Sequence, residues 1–587
     1  MRRYAADCAH AARMRRRTSL TGQVFALLSA VALAAGCAQS APPGNRTSGG
    51  PEGEQRSPKT FTMAIRQEPA LLTQELAGAG SPTGGQGHPV ELAQNYLVIE
   101  DNKTGQFVAQ LATEQISLEN GTWRINPDGT MNTTWRLRPN IKWHDGAPFT
   151  ASDLVFSIMV LKDPDVRAGS SAGGEALRLM DSYSAPDPHT LTIQWSRISV
   201  TANEANGIDP MPKHLLEDLY QSDKRNFDQS SRFRDEFVGL GAYRLVAWEL
   251  GSHFEFEAFP DYFLGRPKMD RVVIRIVPDS NTAVANILAE TVDLLPQRTL
   301  DLDATTEVQT RWRGTGNIVD IYPDGKGFTI LEVQHRADFA RPHGAVTMTQ
   351  VRQGLYHAID RQTLAHTLSH GLAPLADSWY APNSELRSQL ESFVPQFPHD
   401  RNRAQQLLED AGWTLGTDGV RVHRQTGERL EIQITGDSAE RERLALVVAD
   451  DWRQVGAVGV PSTLPRALAR DREAISTQPG VLISSGNYDF LIRNRLHTRE
   501  MTSAENRWTG ANRSGYSNPR VDGILDRLVV TVAPRERLDL HKELLRDQMG
   551  DVPLMPLYWS MHTWFAVAGV TGVRDGRLWN LHEWDKR

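Results

Sequence analysis

Cys37 is the residue whose type and surroundings most clearly indicate a chemical modification. Basic residues precede an apolar run from Val24 to Ala35, which is too short to span a bilayer. The run ends in Leu33-Ala-Ala-Gly36 directly before the cysteine, which resembles the lipobox that directs diacylglycerol to a thiol. We predict that residues 1–36 are a lipoprotein signal peptide and that Cys37 is lipidated. The alternatives are an ordinary secretory signal peptide and a start at Met14, which would give a signal of ordinary length.

The segment that follows the cysteine has the composition of a tether. Residues 37–59 are rich in Pro, Gly and Ser and have almost no large apolar side chain, so we expect disorder. The other cysteine, Cys8, lies in the part that processing would remove, so no thiol pair remains for a disulfide. The folded part should therefore begin near Thr60 and be stabilised by packing.

Two further patterns have the spacing of chemical sites. Residues 169–173 match the G-x-S-x-G pattern of hydrolases around Ser171, but they follow a polar segment instead of a buried strand. His366 and His370 are four residues apart on a predicted helix, a spacing that suits one metal ion, but no third ligand lies nearby. We therefore expect no catalytic residue, no metal, no cofactor and no enzyme activity.

Composition narrows the class of partner. The 587 residues are 40% hydrophobic and 23% charged, which is enough to build more than one lobe. The 64 Lys and Arg against 71 Asp and Glu give a net charge of −7, which argues against nucleic acid as a partner.

The elements that would position a site alternate between strands and helices. Thr60 to Ile65 reads as a strand, and Tyr243 to Phe259 reads as a hairpin. A helix is predicted over Gln350 to Ser369, and two more begin at the caps Asp400 and Asn518. Another helix should start at the capping box of Thr150 and Asp153, with Val155, Ile158 and Met159 on its inner face. This alternation favours mixed α/β lobes.

Short motifs spread along the chain carry a resemblance to a known family. They are Val108 to Ala112, Trp135 to Pro139, Trp143 to Gly146, Thr150 to Asp153, Gly239 to Arg244, Pro260 to Tyr262, Gly265 to Lys268, Val351-Arg352, Ala358 to Arg361, Ala404, Leu407-Leu408, Ala411 to Trp413, Tyr516 to Pro519 and Val552 to Pro556. In this order they resemble the solute-binding proteins of peptide and nickel importers, extracellular solute-binding protein family five. Most of these positions are expected to be scaffold, including a structural charge pair between Asp360 and Arg361.

The resemblance implies an α/β, two-lobed periplasmic-binding-protein fold with an additional subdomain on lobe one. Ligand would be enclosed between the lobes by a hinge motion. On this pattern lobe one comprises residues 60–90, 205–325 and 555–587, and the subdomain comprises 91–204. Lobe two is then 326–554.

The resemblance also suggests which residues line the cleft. The cleft should be lined by the segment after the first strand, which contains Glu68, and by Tyr96. Near the C-terminus, Tyr558 and Trp559 should line it as well. Aromatic rings suit this role because they bury a large area and have a polar edge. For Trp559 the alternative is packing in the core.

One segment departs from the family pattern. Peptide-binding relatives follow a Tyr-Asp-hydrophobic strand with an aromatic residue and an Asp that pairs with the peptide amino terminus. Here the strand ends in Tyr488 and Asp489, and the following residues include Arg493 and Arg495 but no such Asp. The two arginines, two apart on an extended segment, could meet a carboxylate or phosphate. This predicts an acidic or neutral polar ligand group, unless Asp489 or Glu505 binds an amine or the segment is a solvated loop.

The expected function is capture of an extracellular solute, peptide or peptide-like, and its delivery to the permease of an ABC importer. The protein would be a monomer held by its lipid at the outer face of the cytoplasmic membrane or facing the periplasm. A receptor or sensor lipoprotein that uses the same cleft is the alternative. Oligopeptides, dipeptides, modified peptides, oligosaccharides and metal chelates all remain open as ligands.

Overall fold

The computed structural model describes residues 57–76, 85–166, 176–382, 384–465, 468, 471–487 and 495–587. Cys37, Tyr488, Asp489 and Arg493 lie outside these ranges, as do the signal peptide, most of the tether and Ser171 with its whole G-x-S-x-G segment.

The strands of the described residues form one large sheet and four small ones. They are β1 (Thr60–Ile65), β2 (Val98–Glu100), β3 (Phe107–Ala109), β4 (Trp123–Ile125), β5 (Met131–Arg136), β6 (Met180–Asp187), β7 (Thr190–Trp195), β8 (Tyr243–Glu249), β9 (His253–Ala258), β10 (Arg271–Ile276), β11 (Leu294–Leu295), β12 (Ile318–Val333), β13 (Trp413–Leu415), β14 (Arg421–His423), β15 (Glu431–Gly436), β16 (Val458–Thr463), β17 (Val481–Asn487), β18 (Leu554–Ala566), β19 (Val570–Thr571) and β20 (Asp585–Lys586). The large sheet has the order β16-β15-β17-β12-β18-β11-β1-β10-β9-β8, and a second sheet has the order β4-β5-β7-β6.

Helices connect these strands. They are α1 (His88–Ala93), α2 (Ala151–Lys162), α3 (Lys213–Ser222), α4 (Ser280–Leu288), α5 (Leu302–Arg311), α6 (Thr349–Ala358), α7 (Arg361–Leu368), α8 (Glu385–Leu390), α9 (Arg401–Asp410), α10 (Ala439–Arg453), α11 (Arg472–Ser476), α12 (Pro519–Leu528) and α13 (Pro534–Asp551). None of the helices in the described ranges is both long and apolar enough to cross a membrane.

Buried apolar side chains fall into three clusters, which we name the lobe-one, subdomain and lobe-two cores. The lobe-one core contains Phe61, Phe256 and Trp584. The subdomain core contains Trp143 and extends past the expected end at residue 204, as far as Leu240. The lobe-two core is built on residues such as Leu331, Trp379 and Trp452. Mixed α/β elements around separate cores agree with the predicted fold class.

Two long antiparallel strands, β12 and β18, run through both lobe cores. On β12, Tyr322 belongs to the lobe-one core and Phe328 to the lobe-two core. On β18, Trp559 belongs to the lobe-two core and Trp564 to the lobe-one core. The chain therefore passes into the lobe-one core after Trp559, whereas the last segment of lobe one was expected to start at residue 555. The pair supplies the two connections between lobes, because each strand changes core along its length.

Most local predictions are confirmed. The strand at Thr60–Ile65 and the hairpin β8–β9 form as expected. The capping box of Thr150 and Asp153 starts α2. Asp400 caps α9 through Arg403 N–H, and Asn518 caps α12 through the N–H groups of Arg520 and Val521.

Three local predictions were wrong. The helix expected over Gln350 to Ser369 is two helices, because Asp360 caps α7 through Thr363 N–H and donates its own N–H to Asp451. Arg361 therefore does not pair with Asp360 but donates to Tyr356 Oη and to the carbonyl oxygens of Ala376 and Phe397. On α2, Met159 is exposed, because the buried face is formed by neighbours such as Leu154 and Leu161.

Candidate ligand-binding site

Glu68 lies just beyond β1 and is half-buried. Its carboxylate accepts hydrogen bonds from Trp248 Nε1 at 3.1 Å and from the backbone N–H of Gly251 at 3.2 Å. These contacts tie the loop after β1 to the β8–β9 hairpin. In this structure Glu68 thus positions the loop after β1 against the hairpin.

Tyr96 follows α1 and lines a cavity of about 180 Å³. Its hydroxyl is buried and has no hydrogen-bond partner within the described part of the chain. Burial raises the pKa of Tyr96 well above its usual value, and the carboxylates of Asp209, Glu75 and Glu91 add to the shift. The predicted cleft residue is therefore found on the wall of a negatively charged cavity.

The cavity draws its other walls from segments distant in sequence. The loop after β1 contributes Glu75, the segment before α3 contributes Glu204 and Asp209, and the C-terminal region contributes Arg577. Sequence reasoning missed Asp209. The signal was an isolated Asp between apolar residues and Pro in Gly207-Ile-Asp-Pro-Met211, because a charge in such a run is either buried or bound.

The cavity adjoins the strands that connect the lobes. Glu100, which lines it, accepts a hydrogen bond at 2.6 Å from Lys326 Nζ on β12. Arg577 donates to the backbone oxygen of Glu100. A group in the cavity therefore lies near the segment that a hinge motion would bend.

Tyr558 and Trp559 lie on β18 within the lobe-two core. Trp559 is 1% exposed and packs on the ring of Phe328, with centroids 4.9 Å apart. Burial raises the pKa of Tyr558 to about 12. In this structure both rings pack in the core of lobe two.

Arg495 forms a buried ion pair with Glu332 of β12. Its Nη1 lies 2.6 Å from Glu332 Oε1, and the two residues are 8% and 4% exposed. The same nitrogen donates to Ser484 Oγ at 3.2 Å and to the Ser485 carbonyl at 3.1 Å. Burial is the largest influence on Glu332 and raises its pKa. The Arg495 charge, the charges of Arg513 and Arg441 and the hydrogen bond from Ser484 together outweigh burial, so the pKa is lowered. An anionic ligand group at Arg495 would thus compete with an internal carboxylate.

The remaining candidates are His370 and Glu505, which have different surroundings. Helix α7 ends at Leu368, so His370, with φ of 53°, lies beyond the helix, where it contacts Asp303 Oδ1 at 2.6 Å. Glu505, the alternative amine partner, is exposed. Within the described ranges, no group of three or more His, Cys, Asp or Glu could hold a metal ion.

Comparison with known proteins identifies the family. The profile of the Bacterial extracellular solute-binding proteins, family 5 Middle, matches residues 106–491. Heme-binding protein A of Haemophilus influenzae is 23% identical over 558 residues, covering 91% of this chain and 93% of that protein. The oligopeptide-binding protein AppA of Bacillus subtilis is 23% identical over 334 residues, which cover 56% of this chain and only 58% of AppA.

Solved structures show the same fold. NikZ from Campylobacter jejuni in complex with Ni(L-His) has a TM-score of 0.68 at 22% identity, covering 90% of this chain and 99% of that one. AppA from Bacillus subtilis in complex with a nonapeptide has a TM-score of 0.65 at 16% identity, covering 90% and 100%. The two-lobed fold predicted from sequence is confirmed. The chain therefore belongs to the bacterial extracellular solute-binding proteins of family 5, which bind solutes for transport and are not enzymes, as the sequence predicted.

Proposed function

We propose that this protein captures a peptide or peptide-like solute between its two lobes and delivers it to the permease of an ABC importer. The observation that carries the proposal is the family match over residues 106–491 together with two lobe cores joined by β12 and β18. Strands that pass from one core to the other form a natural hinge, because bending them closes the lobes without disrupting either core. The nonapeptide bound by AppA supports a peptide-like solute.

The protein acts at the cell envelope, held there by a lipid on Cys37. Several acyl chains anchor a bacterial lipoprotein firmly, whereas a single chain holds weakly. The folded lobes are thereby kept close to the permease.

The solute would contact Glu68, Tyr96, Tyr558 and Trp559 together with the segment of Tyr488, Asp489, Arg493 and Arg495. At that segment we propose an acidic or neutral polar solute group. Because Glu332 neutralises Arg495, this part of the proposal rests mainly on Arg493.

The test is binding by the full chain purified from its native host. Mass spectrometry of co-purified small molecules identifies the solute, and small-angle scattering should show contraction when it binds. A solute at a hundredfold excess over its Kd should stabilise the protein by about 2.7 kcal/mol. Serum albumin carried through the same purification controls for carry-over.

Two results would reject the proposal. One is that no co-purified molecule and no component of a peptide mixture raises the unfolding midpoint or contracts the protein. The other is that incubation with a peptide mixture yields new products in proportion to the amount of protein, and that the Ser171→Ala variant yields none.

A further inference from the structure

The cavity beside Tyr96 has an unusual balance of charge. Its volume of about 180 Å³ far exceeds the ~10–15 Å³ that one water needs. Five carboxylates line it, those of Glu75, Glu91, Glu100, Glu204 and Asp209, against the single guanidinium of Arg577. Arg577 is held by Asp575 at 3.0 Å, and its charge also acts on Glu91 and Glu100. Carboxylates still outnumber cationic groups along the lining, so the cavity is negative.

One carboxylate oxygen of Asp209 has no hydrogen-bond partner among the described residues. The residue is 1% exposed, and its Oδ2 accepts hydrogen bonds from Thr73 Oγ1 and from the N–H groups of Gln74 at 3.1 Å and Glu75 at 3.3 Å. Its Oδ1 is buried and has no hydrogen-bond partner among the described residues. A buried acceptor without a partner costs ~1–3 kcal/mol, so a donor that reaches it binds favourably.

Tyr96 places a second acceptor on the same wall. Its hydroxyl oxygen is also buried and has no hydrogen-bond partner in the described ranges. Both residues line one negative cavity, and an oxygen of each is buried without a partner among the described residues. This pairing suits a group that carries both positive charge and several N–H donors. A bare metal ion fits less well, because no described cluster offers three metal ligands.

We propose that this cavity binds a cationic organic group of the solute, an ammonium or a guanidinium, with Asp209 and Tyr96 as the accepting residues. Glu75 and Glu204 supply additional negative charge. This inference rests on the proposed solute-binding function and deepens it, because it assigns a charge to one part of the solute. It is compatible with the acidic or neutral polar solute group proposed above for the segment that contains Arg493.

The position of the cavity links this contact to the hinge. Glu100 on its wall is paired with Lys326 of β12, the strand that passes between the lobe cores. A cationic group here would attract Glu100 in competition with Lys326. Binding at the cavity would therefore favour a rearrangement of the connecting strand.

The test titrates the full chain with three small probes that share an n-butyl group: n-butylguanidinium, n-butylammonium and neutral n-butylurea. Butylurea has nearly the shape of butylguanidinium without its charge. Isothermal titration calorimetry should detect binding of at least one cation at millimolar concentration. The protein should bind butylurea at least tenfold more weakly than that cation. Whichever cation binds more tightly identifies the group. Equal affinity for butylurea and both cations, or no binding of either cation, overturns the proposal.

Variants locate the binding. Asp209→Asn should weaken cation binding at least tenfold. Tyr96→Phe should weaken it about three- to fivefold without lowering thermal stability, because its hydroxyl has no partner to lose. Glu307 is an exposed carboxylate that pairs with Arg311 on α5 and is not part of the cavity lining. Glu307→Gln makes the same charge change there and should have no effect.

Asp209 also holds the loop after β1, so its variant can unfold for structural reasons. If Asp209→Asn does not fold, the variants Tyr96→Phe and Glu204→Gln test the proposal. Cation affinity equal to that of the parent protein in both variants overturns it. Failure of the proposed function looks different. In that case the cations bind with the expected variant pattern, while no peptide or host-derived solute stabilises or contracts the protein.

Discussion

Replacing Arg495 separates a role in stability from a role in ligand binding. Arg495→Met removes the guanidinium that neutralises Glu332 but keeps most of the apolar volume. Because both partners are buried and 2.6 Å apart, the variant leaves a buried carboxylate without its countercharge. Breaking such a pair by removing one partner costs ~3–5 kcal/mol of folding free energy. We expect a loss of this size in the free energy of unfolding.

Urea-induced unfolding, followed by tryptophan fluorescence, measures this loss. The double variant Arg495→Met with Glu332→Gln should recover a large part of it, because no unpaired charge remains buried. Arg527→Met is the matched control, since Arg527 and Glu536 form an exposed pair at 4.0 Å and should contribute under about 1 kcal/mol.

The pH dependence gives an independent check of the same pair. The pKa of Glu332 is lowered in the folded protein, so the pair stabilises the fold above the unfolded value of 4.5 and this contribution is lost as pH falls. In Arg495→Met, burial should raise that pKa instead, so the gap between variant and parent narrows on acidification. A loss below about 1 kcal/mol together with a tenfold or greater drop in solute affinity would refute the structural role and make Arg495 a ligand residue.

Three further predictions address the anchor, the buried histidines and the helix caps. Cys37→Ala should abolish incorporation of radiolabelled fatty acid and release the protein from membranes or leave it unprocessed; unchanged label and fractionation would reject lipidation. Burial lowers the pKa of His144 to about 4, so the unfolded chain binds a proton first as pH falls below 6.5, and the free energy of unfolding should drop by up to about 3 kcal/mol between pH 6.5 and 4. In His144→Gln the same urea titration should show a shallower pH slope, and an identical slope would contradict the assignment. Asn518→Ala removes the cap bonds to Arg520 and Val521 and should cost about 1 kcal/mol by urea unfolding. Asn402→Ala, in an exposed part of α9, should stay within about 0.5 kcal/mol, and equal losses in the two variants would argue against the cap.

Two helix starts were predictable because their determinants lie within a few residues. Asp400 and Asn518 cap helices because each side chain bonds to N–H groups two or three positions ahead, which neighbouring residues alone decide. The break at Asp360 also has a local cap, on Thr363 N–H, but this cap was missed. Apolar periodicity continues across it, and the hydrogen bond to Asp451 comes from a helix far along the chain.

Family and fold followed from the sequence because many short motifs, each with a local conformation, occur in one order along the chain. Tyr96 was placed near a cleft by that order alone. The residues around Tyr96 could not be predicted, because the tertiary fold brings Glu75, Asp209 and Arg577 to the same cavity from separate segments.

The two arginines illustrate the same limit. Sequence spacing on an assumed extended segment predicted that Arg493 and Arg495 point toward a ligand. Only the tertiary structure brings Glu332, 163 residues away, within 2.6 Å of Arg495. The sequence determines which side chains carry charge and which turns and caps form, since these depend on near neighbours. Whether a charge faces a solute or an internal partner depends on contacts between distant segments, and those exist only once the chain has folded.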